Sequence, residues 1–252
     1  MDTIMANPTP PESVATSTAS KSSTPNRNTA SNAQISPKPA AGAVSNPHKV
    51  PPRACYLSTH VKIEVGSKKK IYVIHKDLLR FYSDYFRGAF SGSFKEAIEG
   101  KVSLPEEREA VFDIFTQFLY SRLLADDRDE KISWATLVDV WLFGDKYLVP
   151  SLQNSAMDSL IKKIEVDHSV PTHQIKKIWE KTLPSSPLRR YLLEHTAYRL
   201  SASSFQMFEN HWTREALVEL VKTFFDKEDT KKYVFPAREK CYYHIHKEGE
   251  KC

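Results

Sequence analysis

Between residues 61 and 97 the hydrophobic period of the chain changes from two to between three and four, and this switch restricts the fold more than any other feature. Val61, Ile63 and Val65 alternate with polar residues, as do Ile71 and Val73, the pattern of strands with one buried face. Gly66, Ser67 and the lysines Lys68, Lys69 and Lys70 sit between them as a turn. Leu78, Leu79, Tyr82, Tyr85, Phe86, Ala89 and Phe90 then recur at steps of three and four, which is helical. The segment therefore reads as a strand hairpin running into two short apolar helices, and the fold class is α+β.

Helical signals dominate the rest. Pro105 with Glu106 and Glu107 reads as a helix start, because proline is tolerated in a first turn and acids favour the positive helix end. Val111, Ile114, Phe115, Phe118 and Leu119 give that helix one apolar stripe. Ser133 caps the next, with Leu137, Val140, Trp141, Gly144 and Leu148 on one face, and Pro150 separates it from Leu152, Ala156, Leu160 and Ile164. Residues 125–131 form a charged loop between them. Prolines at 171, 184 and 187 divide the chain beyond His168 into short helices, so 169–235 reads as a helical extension.

The first 55 residues contain no Phe, Trp or Tyr and hold nine of the 15 prolines, so they cannot bury enough apolar surface to offset the entropy of ordering. They read as a disordered tail. Lys21, Arg27, Lys38, Lys49 and Arg53 against Asp2 and Glu12 give the tail +3 of the formal +5, which leaves +2 for the remainder. That is too little to indicate a nucleic-acid groove.

The residues His75-Lys76-Asp77-Leu78-Leu79, Ser83-Asp84-Tyr85-Phe86 and Phe94-Lys95-Glu96-Ala97, in that order, resemble the signature of the BTB/POZ domain. Residues 101–106 are similar to the family's short strand and helix entry, 112–120 to its "F…F-L-Y" helix and 142–152 to its "L-x-x-x-D-K-Y-x-V-P-x-L" helix pair. The resemblance covers 56–168 and looks closest to the fungal branch. It implies a small sheet with a cluster of short helices, followed here by the helical extension at 169–235 and a Cys/His-containing tail at 236–252.

The resemblance implies a protein-binding function. Tyr82, Tyr85, Phe86, Ala89 and Phe90 would form the interface of a homo- or heterodimer, and Phe94 with Glu96 matches the "φ-x-E" element that engages a cullin in substrate adaptors of ubiquitin ligases. The alternative is that Phe94 caps the core and the protein is a dimerising scaffold or transcriptional cofactor with no ligase role. The family's acidic residue before the first strand is replaced by His60, while Lys76 keeps the basic partner, and no swapped N-terminal strand is recognisable in 1–55. These departures argue against a swapped, repressor-type dimer.

No G-x-S-x-G, G-x-G-x-x-G, G-x-x-x-x-G-K-[ST] or H-E-x-x-H motif occurs, and only seven glycines are present, so neither catalysis nor a cofactor is expected. His75 reads as a structural imidazole. Three cysteines in 252 residues provide no disulfide framework and point to a reducing compartment. With no 18-residue apolar run and no signal peptide, the expectation is a soluble intracellular protein of the nucleus or cytoplasm that binds neither membrane nor nucleic acid.

One group has metal-ligand chemistry. Cys241, His244, His246 and Cys252 supply two thiols and two imidazoles, the donor set of a tetrahedral structural zinc site. The spacing C-x2-H-x-H-x5-C is not that of a zinc finger, and an exposed tail or weakly packed strand is the alternative.

Overall fold

In the computed structural model, residues 50–124, 132–199, 201–228 and 237–246 are described, all within one structural unit of residues 43–252. The expected disordered tail falls almost wholly outside them, as does the charged loop 125–131. A 3-10 turn at Arg53–Tyr56 comes first, with Cys55 buried, and packs on the first helix. The order continues β1 (His60–Val65), β2 (Lys70–His75), α1 (Lys76–Tyr82), α2 (Asp84–Ala89), α3 (Lys95–Glu99), β3 (Lys101–Leu104) and α4 (Glu109–Ser121). Then come α5 (Trp134–Lys146), α6 (Pro150–Asp167), α7 (Ile175–Lys181), α8 (Pro187–Arg199), α9 (Ala202–Phe208), α10 (Arg214–Glu228) and a final 3-10 turn at Lys240–Tyr243.

The strands form one sheet in the order β2-β1-β3, with β1 antiparallel to β2 and parallel to β3. β1 buries Val61, Ile63 and Val65 as its alternation predicts. β2 is in the opposite phase to the expectation: Tyr72 and Ile74 are buried, whereas Ile71 and Val73 are 57% and 58% exposed. The register explains this. Ile63 faces Tyr72 and Val61 faces Ile74, and directly opposed residues of an antiparallel pair share a face. Tyr72 fits the interior because its ring packs on Phe112, 4.6 Å between centroids, while its hydroxyl donates to Asp113 at 2.6 Å. Burial and this carboxylate push its phenol up to about 12. Lys70, expected as part of a solvated turn, pairs with the same Asp113 at 2.8 Å and so joins the hairpin to α4.

Ser83 breaks the chain between α1 and α2 for a definable reason. Its buried hydroxyl accepts from the backbone N–H of Phe86 at 3.0 Å, capping α2, and donates to the carbonyl of Tyr147 at 2.7 Å, tying that cap to the end of α5. Phe86 then enters an aromatic cluster with Phe90, Phe115 and Tyr147. α4 begins at Glu109, later than expected, because 105–107 form a turn in which Glu107 receives Lys146 at 2.6 Å and the hydroxyl of Tyr147 at 2.9 Å. Ser133 caps α5 as expected, accepting from the N–H of Thr136 at 3.1 Å. Gly144 allows α5 and α6 to approach: a Cβ there would lie 2.6 Å from Cγ of Gln153 and 3.1 Å from its backbone nitrogen.

The helical extension shares one apolar core with the preceding helices, through Ile175, Ile178, Trp179, Leu188, Leu192, Ala216 and Leu220. Arg189 is its polar tie. Its buried guanidinium donates to the carbonyl of Trp179 at 2.5 Å, the hydroxyl of Thr182 at 2.8 Å and the carboxylate of Glu219 at 3.1 Å, so α7, α8 and α10 meet at one side chain.

Candidate interaction surface and Cys/His cluster

Two groups of residues carry chemistry that the core does not consume. The first is on α3. Phe94 is the residue before this five-residue helix and Ile98 lies one turn later, joined to it by the hydrogen bond from the Ile98 N–H to the Phe94 carbonyl at 3.1 Å. Residues four apart share a helix face, and both are outside the core, Phe94 at 64% and Ile98 at 76% exposure. Glu96 is half-buried in the first turn beside them. Phe94 thus does not cap the core. Sequence reasoning overlooked Ile98, although its spacing from Phe94 was readable.

The expected dimer residues are divided. Tyr82, Phe86 and Phe90 are buried by the chain's own helices, which corrects their assignment to a surface shared with a second copy. The apolar excess on α1 and α2 is used against α4 and α5, where Tyr82 meets Phe118 and Phe86 meets Phe115 and Tyr147. Tyr85 at 39% exposure and the half-buried Ala89 remain at the surface. His75 is held as a structural imidazole, its Nδ1 2.9 Å from the hydroxyl of Tyr120 and its ring 4.2 Å from that of His60.

A cleft of about 450 Å³ lies between α4, α5 and α7, lined by Glu107, Arg108, Asp139, Asp145, Lys146 and Lys177. Within it Asp139 is bound by Arg108 and Lys177, and Glu107 by Lys146. Burial raises the carboxyl of Asp145, which accepts from the amide of Gln153 at 3.1 Å.

The second group is at the C-terminal segment. Cys241, His244 and His246 each offer a ligand atom, and the three atoms lie within 4.8 Å of one another. Cys252, the fourth expected ligand, lies outside the described residues. The segment is not an exposed tail. The amide of Asn154 on α6 accepts from the Ile245 N–H at 2.8 Å and donates to its carbonyl at 3.1 Å, a strand-like pairing made by one side chain. On α8, Glu194 receives the hydroxyl of Tyr243 at 2.5 Å and the guanidinium of Arg238 at 3.0 Å. His244 is buried, with Nε2 2.7 Å from Oδ1 of Asp158. No pattern in the sequence connects Asp158 or Asn154 to a segment some 90 residues away. Of the described cysteines, Cys55 is free and Cys241 is disulfide-bonded, which departs from the expectation of thiols alone.

Residues 53–164 match the family model described as the BTB/POZ domain. The match covers less than half of the chain and spans the sheet and the helices as far as α6. Over 130 residues the chain is 28% identical to Armadillo BTB Arabidopsis Protein 1 of Arabidopsis thaliana, covering 50% of this chain and 16% of that protein. That relative is a plant protein, and a fungal affinity is not supported. No described helix is long and apolar enough to cross a membrane.

Proposed function

We propose that the protein acts by binding and not by catalysis, dimerising through the surface that carries Tyr85 and Ala89 and recruiting a cullin through α3 as the substrate adaptor of a ubiquitin ligase. The observation that carries the second part is the outward-facing pair Phe94 and Ile98 beside Glu96. An exposed aromatic next to an aliphatic side chain is a natural anchor for an apolar pocket, and the carboxylate adds a polar contact at its edge. Apolar anchors buried at an interface lose about 2 kcal/mol on truncation, roughly a thirtyfold change in affinity. Phe94→Ala is therefore expected to weaken capture of a cullin about thirtyfold while circular dichroism and melting temperature stay at the wild-type values. Absence of capture by the wild-type chain, or unfolding of the variant, would leave the scaffold reading in its place.

Light scattering tests the first part. The chain should run at about twice its monomer mass of 28.9 kDa. A clean monomer at ~tens of micromolar, the range of weak self-association, would remove dimerisation from the reading. A scaffold or transcriptional cofactor is the second reading, favoured by a different surface: Val218, Val221 and Phe225 of α10 are exposed on a helix whose Ala216 and Leu220 are buried. That surface suits a partner of another kind. Proximity labelling in cells would separate the two readings by whether a cullin is recovered.

A further inference from the structure

We propose that the reduced chain holds one zinc ion at the C-terminal cluster, with Cys241, His244 and His246 as ligands and Asp158 as the carboxylate that orients His244. The donor set comes first. One sulfur and two imidazole nitrogens match the borderline-soft preference of Zn²⁺ and disfavour the oxygen-seeking Ca²⁺ and Mg²⁺. Geometry comes second. Zinc–sulfur and zinc–nitrogen bonds of about 2.3 and 2.0 Å set ligand atoms roughly 3.5 Å apart around a tetrahedral ion. The observed convergence within 4.8 Å needs a closure of only about 1 Å, within reach of side-chain rotation.

The support around the ligands is the independent observation. Histidines that ligate zinc through one ring nitrogen usually give the other to a carboxylate, which fixes tautomer and ring orientation. Asp158 does this for His244, at 2.7 Å from Nε2, and so assigns the metal-facing role to Nδ1. Nδ1 of His246 is shielded from solvent. The backbone between the ligands is held from two sides, Ile245 by Asn154 and Tyr242 by the guanidinium of Arg190 at 2.9 Å. Ligands on a fixed backbone lose less entropy on binding than those of an unstructured tail. A bound ion would fasten the C-terminal segment to α6 and to α8 of the extension.

The disulfide at Cys241 makes this site redox-dependent. A disulfide sulfur carries no thiolate charge, so the oxidised chain lacks this ligand. A dithiol reductant transfers two electrons and two protons to the S–S bond, yielding two thiols and its own cyclic disulfide. Zinc then displaces the thiol proton of Cys241 and binds the thiolate.

The test uses the full chain, reduced with a dithiol, offered Zn²⁺ and desalted into metal-free buffer. Elemental analysis should give about one zinc per chain, and the oxidised chain at least tenfold less. Cys241→Ser and His246→Ala should each lower the zinc content at least tenfold with unchanged far-ultraviolet circular dichroism. In chelator competition, Asp158→Asn should weaken affinity by about 10–100-fold. Cobalt offered in place of zinc should give the thiolate charge-transfer band of a tetrahedral site. Less than a tenth of an equivalent of zinc in the reduced wild type would overturn the site, as would full zinc in both ligand variants. Full zinc in the oxidised chain would overturn its redox dependence, and unchanged affinity in Asp158→Asn its orienting carboxylate.

Discussion

Phe86→Ala is expected to lower the stability of the protein by about 3–5 kcal/mol, a large part of what a domain of this size has to lose. Phe86 is fully buried. Its ring stacks near those of Phe90, Phe115 and Tyr147 at 6.3, 6.2 and 5.9 Å and meets Tyr85 edge-on at 5.2 Å. Truncation removes one ring from each of these contacts and leaves a cavity that the rigid neighbours cannot fill. The surrounding groups are themselves fixed, since Ser83 caps the helix at Phe86 and bonds to Tyr147. Protein concentration distinguishes this account from an interface role. A residue buried by its own chain gives a melting temperature that falls equally at all concentrations, whereas a dimer-interface residue gives a fall that shrinks as concentration rises. Thermal unfolding of Phe86→Ala at two concentrations a hundredfold apart measures this. A concentration-dependent loss would return Phe86 to the dimer surface.

The contrast between Phe86 and Phe94 shows what a single sequence can and cannot convey. Both are phenylalanines in short helical segments, and periodicity alone does not state whether an apolar face meets its own chain or another. The family motif placed them in order, and only packing against α4 and α5 separates core from surface. β2 is a similar case. Ile71 and Val73 look like a buried face, and an alternating strand with apolar residues in both phases leaves the choice to register. Here pairing with β1 turns Tyr72 and Ile74 inward. Local chemistry was easier to read. The Ser133 cap, the strand hairpin and the helix after Pro150 all follow from contacts within a few residues. The docking of residues 241–246 depends on Asn154, Asp158 and Glu194, far away in sequence, and no local pattern encodes it. The Cys/His spacing identified candidate ligands, and tertiary structure supplied their supports.

Acid should destabilise the protein through His195. His195 is buried on α8, and desolvation, with the positive charge of Arg199 as a smaller cause, lowers its imidazole from 6.5 to about 4. In the folded chain it therefore stays neutral from pH 7 down to about 4, while in the unfolded chain it takes up a proton near its ordinary value. Between these limits the unfolded state binds more protons, so stability falls as pH falls. The contribution is fully present above about pH 6.5 and lost progressively toward pH 4, and the separation of the two values corresponds to about 3 kcal/mol. Chemical denaturation at pH 7, 6, 5 and 4.5 should show this slope, and His195→Gln, which cannot titrate, should flatten it by that amount whatever its own stability at pH 7. Parallel curves for the two proteins would mean that the imidazole is protonated inside the fold. The consequence reaches the C-terminal segment, because Glu194, the next residue on α8, holds Tyr243 and Arg238. Loosening α8 in acid should therefore release the segment that carries Cys241, His244 and His246 before the α4–α5 core unfolds.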